Sequence, residues 1–218
     1  MSSSNRPSIR AYIGTTGSGK GVSANAYLQE TKPTRLFVWD PQGEWGQLGR
    51  TYGERDLGAA VKAMSAPTFK VVYQPGGDQR EFAKRFDLVC RAVYQVGNLT
   101  FMPDELADVT TPSWAPPAWR RICTSGRHRS LSVIGHTQRP AFIDKAFLGN
   151  CTYVRCFSLR ETPDKKRMAS ALSVPYEVID RLETVEDEAR GVTTIKYYER
   201  DFRTGERGEN TIVLKRRK

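Results

Sequence analysis

Residues 9–29 read Ile-Arg-Ala-Tyr-Ile-Gly-Thr-Thr-Gly-Ser-Gly-Lys-Gly-Val-Ser-Ala-Asn-Ala-Tyr-Leu-Gln: an apolar run, a glycine-rich turn, then a helix-compatible segment. A strand, a turn of this kind and a helix, in that order, form a cradle for phosphate. The glycines let successive backbone N–H groups face one anion together with the helix N-terminus. Lys20 adds a cation for the β and γ phosphates. The expected ligand is therefore a nucleoside triphosphate, held by Gly14, Thr15, Thr16, Gly17, Ser18, Gly19, Lys20, Gly21 and Val22. The chain departs from the pattern G-x-x-x-x-G-K-[ST] in its last place, ordinarily a hydroxyl that binds magnesium, which here is Gly21.

With 218 residues, 39% of them hydrophobic, the chain can bury one full core, and a single domain over residues 1–218 is expected. No apolar stretch approaches the about 20 residues needed to span a bilayer, and residues 1–7 lack the apolar segment of a secretion signal, so a cytosolic protein is expected. Cys90, Cys123, Cys151 and Cys156 form no C-x-x-C pair and read as reduced core residues. The net charge of +10 is concentrated in Arg120, Arg121, Arg127 and Arg129, in Lys165, Lys166 and Arg167, and in the closing Lys215, Arg216, Arg217 and Lys218. Such a balance favours a polyanionic partner, against the alternative of a solvated face with a basic tail.

Hydrophobic periodicity predicts strands at about 8–13, 35–39, 69–73, 98–102, 131–134 and 153–157, alternating with helices at 20–30, 56–64, 78–96, 118–125 and 142–148. That alternation implies a mainly parallel sheet with helices on both faces. Helices near 162–172 and 175–183 complete a core of about 8–183. Residues 192–199 and 210–214 resemble an antiparallel hairpin, the small β-element of a C-terminal region over about 190–218.

The second chemical feature is Asn-Leu-Thr-Phe-Met-Pro-Asp-Glu at residues 98–105, which puts two carboxylates at the C-terminal end of an apolar strand, the edge of an α/β sheet where ligands bind. Asp104 is expected to hold Mg2+, directly or through water, and Glu105 to polarise an attacking water. Pro103 lacks a ladder donor and marks where the sheet stops. The third feature is Ser-Val-Ile-Gly-His-Thr-Gln-Arg-Pro at 132–140, again a strand running into a polar tip. It would set Gln138 beside the γ phosphate, where an amide can bond either the water or the phosphate. His136 and Thr137 read as structural. Gly126-Arg-His-Arg129 precedes that strand, and Arg127 or Arg129 could be offered across a subunit boundary, with nucleic-acid contact or solvation as the alternatives.

Taken in order, Gly14 to Lys20, Trp39-Asp-Pro-Gln-Gly-Glu44, Asp104-Glu105 and Thr137-Gln-Arg-Pro140 resemble the FtsK-HerA superfamily of P-loop ATPases, in the additional-strand, catalytic-glutamate branch. The short chain and its Gly-Arg-His-Arg segment are most like the genome-packaging ATPases of membrane-containing, double-jelly-roll viruses of the tectivirus type. The likeness covers about residues 8–172. It implies an α/β P-loop fold with Walker A and Walker B elements and ATP and Mg2+ as ligands. It further implies a homo-oligomeric ring, usually a hexamer, pumping double-stranded DNA into a preformed capsid by contact with capsid or vertex proteins. Such a protein would work in the host-cell cytoplasm or at the packaging vertex of the virion.

Carried over residue by residue, Lys20 binds phosphate, Asp104 supports magnesium, Glu105 activates water, Gln138 senses the γ phosphate, and Arg127 or Arg129 acts in trans. Glu44 is the next acid of the pattern. With Gly21 in the hydroxyl position, magnesium would rely on Asp104, the phosphates and additional water. Arg120 and Arg121, with Trp114 and Trp119 nearby, are expected to face a DNA channel; the competing reading puts those tryptophans in the core or an interface. Two other functions compete: a filamentous-phage-type assembly ATPase, a family that normally carries a membrane span, and a non-hydrolysing nucleotide-dependent DNA or capsid adaptor.

Overall fold

The computed structural model describes residues 8–78 and 81–215; Arg216, Arg217 and Lys218 of the expected basic tail, and residues 1–7, lie outside them. Strand β1 (Ile9–Ile13) leads through the glycine turn into helix α1 (Lys20–Thr31), and β2 (Arg35–Trp39) closes the first crossover. There follow β3 (Arg50–Tyr52), α2 (Leu57–Ala63), β4 (Phe69–Tyr73), α3 (Phe82–Val96) and β5 (Leu99–Pro103). Helix α4 (Pro117–Ser125), β6 (Leu131–Thr137), α5 (Lys145–Asn150) and β7 (Tyr153–Cys156) complete the central layer. Helices α6 (Thr162–Leu172) and α7 (Tyr176–Asp180) then lead to β8 (Thr184–Asp187), β9 (Val192–Asp201) and β10 (Arg207–Lys215).

The sheet runs β10-β9-β7-β1-β6-β5-β2-β4-β3, with β8 beside β9. From β3 to β7 every neighbouring pair is parallel. Strand β6 is inserted between β1, which carries the glycine turn, and β5, which carries the two carboxylates. That is the additional-strand arrangement. All three strands therefore end on one edge, which is why residues more than a hundred positions apart meet there.

Two features go beyond the sequence pattern. The short strands β3 and β8 have no counterpart in the sequence reading, because three or four residues carry too little alternation to register. The C-terminal hairpin is also longer than expected and does not stand apart: β9 pairs antiparallel with β7, through Tyr153↔Asp201 to Cys156↔Tyr198, and so extends the main sheet.

Pro103 is the last residue of β5, opposite Trp39 on β2, and the Asp104 N–H then donates to the Trp39 carbonyl at 3.0 Å. The ladder thus ends at the proline and one further bond holds the turn that carries the carboxylates. One sheet face is covered by α3, α4, α5 and α6 over an aromatic series of Trp39, Phe86, Phe101, Trp119 and Phe147, with successive ring centroids 5.1–6.2 Å apart. Burying each such side chain contributes about 1.5–3 kcal/mol, so this series anchors the layer. Trp119 is fully buried and donates to Asp144 at 2.9 Å, which removes it from any channel; Trp114 is exposed. On the other face α1, Trp45 and Tyr197 form a smaller cluster. All four cysteines are buried and free, and burial raises their thiols above the ordinary range.

Candidate active site

The glycine turn is fixed at its start by the strands on either side: Gly14 N–H donates to Thr137 O at 3.2 Å and Thr15 N–H to Ser158 O, just beyond β7, at 3.0 Å. A Cβ at Gly14 would stand 2.5 Å from Ser18 Oγ and 2.7 Å from Phe157 Cβ, so close packing demands glycine there. Gly19, at φ +104°, turns the chain into α1 and leaves the helix N-terminus facing the same space. Lys20 folds back so that its Nζ donates to Gly14 O at 2.7 Å and Thr15 O at 3.0 Å. Burial holds the Lys20 ammonium below its usual value, although Glu105, Asp104 and Glu44 oppose that shift.

The carboxylates follow at the end of β5. Glu105 adopts φ +49°, a conformation uncommon for a side chain of its size. Burial pushes its carboxyl above the ordinary carboxylate range, with Asp104 adding to the shift and the bond from Gln138 and the charge of Lys20 opposing it. Gln138, just beyond β6, joins this group to the turn. Its Nε2 donates to Glu105 Oε1 at 2.7 Å, while its Oε1 accepts from Thr16 N–H at 3.2 Å and Thr16 Oγ1 at 2.9 Å.

Asp104 is 3% exposed and closely surrounded. Its Oδ2 accepts the Trp45 indole N–H at 2.8 Å, its Oδ1 accepts the Glu105 N–H at 3.1 Å, and His136 Nδ1 stands 3.3 Å from that same Oδ1. Burial alone would raise this carboxyl; His136, Trp45 and the Glu105 N–H together outweigh burial and keep it low. Asp40, at the end of β2, accepts Glu44 N–H at 2.9 Å and Trp45 N–H at 3.0 Å, and so shapes the loop that delivers the indole. Trp45 and the role of Asp40 went unread in the sequence. The signal available was Asp-Pro-Gln-Gly-Glu-Trp directly after a buried strand.

These groups line one cavity of about 560 Å3 that takes in the turn, Glu44, both carboxylates and Gln138. Its far wall is the C-terminal region: Glu186 of β8, Thr193 and Ile195 of β9, and Leu214 of β10. Sequence reading assigned those residues no part in the site. Among the described residues no group of three or more acid, histidine or cysteine side chains is arranged to hold a metal by itself. Magnesium, which keeps several waters readily, would draw here on Asp104, directly or through water, and on the phosphates of a nucleotide.

Arg127 and Arg129 lie elsewhere. They occupy the turn before β6, and Gln138 follows it, so a strand of about 20 Å separates them from this cavity. Both are exposed; Arg129 donates to Tyr94 O at 3.0 Å and to Gln95 O, capping α3, whereas Arg127 makes no such bond to α3 among the described residues.

Comparison with known proteins agrees with this geometry. Protein P9 of Pseudoalteromonas phage PM2 is 24% identical over 173 residues, which cover 79% of this chain and 78% of that one. The genome packaging NTPase B204 of Sulfolobus turreted icosahedral virus 2, in complex with ATP-gammaS, superposes with TM-score 0.70 at 18% identity, covering 96% of this chain and 100% of that one. The chain has the P-loop NTPase fold. VirB4 of Thermoanaerobacter pseudethanolicus shares this P-loop fold with TM-score 0.62 at 11% identity, over 99% of this chain and 91% of that one. The likeness to these structures is one of fold. No protein-family model matches the chain.

Proposed function

We propose that this protein is an ATPase that drives viral double-stranded DNA into a preformed capsid. The observation that carries the reading is the bridge from Thr16 through Gln138 to Glu105, which links the phosphate turn to a raised carboxylate. In the reaction, the N–H groups of the turn and the N-terminus of α1 receive the β and γ phosphates, and Lys20 transfers its bonds from Gly14 and Thr15 to phosphate oxygens. Glu105 accepts a proton from the water that attacks the γ phosphorus while the bond from that phosphorus to the β–γ bridging oxygen breaks and ADP leaves, a task its raised affinity for protons suits. Gln138, with donor and acceptor at its two ends, responds to the γ phosphate at Thr16 and orients Glu105 accordingly. Magnesium, when bound with the nucleotide, would be held by its phosphates and by Asp104 through water, and would neutralise phosphate charge.

DNA as partner is supported by the net charge of +10 and by the exposed Arg120 and Arg121 on α4. A homo-oligomeric ring, such as a hexamer, would bring Arg127 or Arg129 to a neighbour's nucleotide, and capsid or vertex proteins would receive the ring. The genome-packaging NTPase B204 supports this assignment, and with it a place in the host cytoplasm or at the virion vertex. Among the described residues no helix is long and apolar enough to cross a membrane. Gly21, together with an Asp104 already engaged by Trp45, favours a second reading, the non-hydrolysing adaptor.

Magnesium-dependent ATP hydrolysis at high protein concentration, with and without long double-stranded DNA, separates the two. DNA-stimulated turnover that is lost in Glu105→Gln is expected. Tight nucleotide binding without turnover would replace the motor by the adaptor.

A further inference from the structure

The ring of Trp45 lies between the glycine turn and the acidic end of β5, and it touches both. Its Nε1 donates to Asp104 Oδ2 at 2.8 Å, and its Cη2 is 3.5 Å from where a Cβ on Gly21 would stand. It also stacks on His136, with centroids 5.3 Å apart and planes 25° apart. The residue is 4% exposed, and two backbone N–H bonds to the fully buried Asp40 fix the loop that aims it. Position 21 is where the sequence pattern places a hydroxyl, and Gly21, Trp45 and Asp104 all line the one cavity.

A serine or threonine hydroxyl is both donor and acceptor, so it can bond a carboxylate with its proton and a metal with its lone pairs. An indole N–H is a donor only. It can hold a carboxylate in place and cannot ligate a cation. A Cβ at position 21 would already be in van der Waals contact with the indole, and a hydroxyl added beyond it on that side would enter the volume the ring fills. A hydroxyl turned to that side and the indole therefore compete for one space.

We infer that Trp45 is a positioning residue that replaces the missing hydroxyl at position 21 as the donor holding Asp104, so that positions 21 and 45 act as a coupled pair. The inference rests on the ATPase reading above. It explains how the glycine is tolerated: the orienting half of the hydroxyl's work is retained by the indole, while the ligating half is left to water.

The test compares wild type, Trp45→Phe, Gly21→Ser and the double variant. Two quantities are measured: the Mg2+ concentration giving half-maximal binding of a fluorescent ATP analogue, and kcat and KM for ATP. Phenylalanine keeps the ring and loses the donor. Trp45→Phe is expected to raise the half-maximal Mg2+ concentration by about tenfold, as loss of an outer-shell partner does, and to lower kcat more than it changes KM. Gly21→Ser in the wild-type background brings no gain, because the indole already holds Asp104. In the Trp45→Phe background it restores Mg2+ dependence to the wild-type level or better. Equal effects of Gly21→Ser in both backgrounds, or an unchanged Mg2+ dependence in Trp45→Phe, overturn the inference.

Should Trp45→Phe fail to fold, the indole N–H resonances of the other proteins decide. Gly21→Ser and Asp104→Asn must each shift Trp45 and leave Trp114 in place; an unmoved Trp45 resonance overturns the inference. A wild type that binds Mg2+ and nucleotide without turnover removes the ATPase reading, and the binding measurements still judge the pair.

Discussion

Gln138 Nε2 donates to Glu105 Oε1 at 2.7 Å, which ties the tip of β6 to the residue beyond β5 that would activate water. The other end of the same amide is committed to Thr16, so Gln138 has no spare group facing Glu105. Replacing it by glutamate exchanges the donor for a second carboxylate and removes one of the influences that hold the Glu105 proton affinity down. Gln138→Glu is expected to shift the acidic limb of the pH–rate profile for ATP hydrolysis to higher pH. Gln138→Ala is expected to lower kcat at every pH. A Gln138→Glu profile that superposes on that of wild type would show that the amide does not act on Glu105.

The same raised carboxyl has a consequence for stability. Folding raises the Glu105 pKa, chiefly through burial, so the folded state favours the protonated form. The resulting stabilisation is complete below the ordinary carboxylate value and is lost as pH rises through the raised value. At neutral pH the buried charge is therefore a burden, and Glu105→Gln should melt at a higher temperature than wild type. That gap should close as pH falls to the ordinary carboxylate range. A gap that is constant with pH, in melts across the acidic range, would assign the effect to packing instead.

Gly135 sits in the middle of β6, where a Cβ would stand 2.3 Å from Phe147 Cζ and 2.9 Å from Leu106 Cδ1. Gly135→Ala forces α5 and the turn after Glu105 away from the sheet and should cost about 1–3 kcal/mol, read as a lower denaturation midpoint. Trimming the obstruction with Phe147→Leu in the same chain should recover part of the loss. Additive losses in the double variant would locate the strain elsewhere.

Much of this architecture was legible because the signals are local. The strand, glycine turn and helix at 9–31, the acidic pair after β5 and the polar tip of β6 each lie within a few residues, and parallel topology brings their ends together without further information. The wall built from Glu186, Thr193, Ile195 and Leu214 was not legible. It depends on β9 pairing with β7, some forty residues away in sequence, and a hairpin pattern does not say which edge it will join. Trp45 escaped for a different reason. A lone tryptophan after a turn looks like core, and only the indole N–H reaching Asp104 across the site shows its second use.

Arg120 and Arg121 are exposed on α4, whose opposite face buries Trp119, Ile122 and Cys123. Neither arginine is near the nucleotide cavity, so alanine at both should leave basal hydrolysis and the melting temperature close to wild type. Arg121 also lies over the Tyr94 ring at 4.3 Å, a surface contact of about 0.5–1 kcal/mol. If both meet phosphates, the double variant loses DNA stimulation, and its log affinity against log salt becomes shallower by about 0.9 per contact removed. An unchanged salt slope in DNA-binding titrations would remove α4 from the DNA path.

Arg127 and Arg129 flank one turn yet are bound differently, which makes the trans-acting role separable from structure. Arg129 donates to the carbonyls of Tyr94 and Gln95 at the C-terminal end of α3, so Arg129→Ala should destabilise the fold by about 1 kcal/mol whatever else it does. Arg127 is exposed and, among the described residues, its Nε reaches only His128, at 3.4 Å, so Arg127→Ala should melt like wild type. If Arg127 completes a neighbour's site, Arg127→Ala and Glu105→Gln are each inactive alone. Mixed rings then regain hydrolysis, because a subunit with intact Glu105 can meet a neighbour with intact Arg127. Turnover measured across mixing ratios should pass through a maximum near equal proportions. A mixture no more active than its components would leave Arg127 without a part in the neighbour's chemistry.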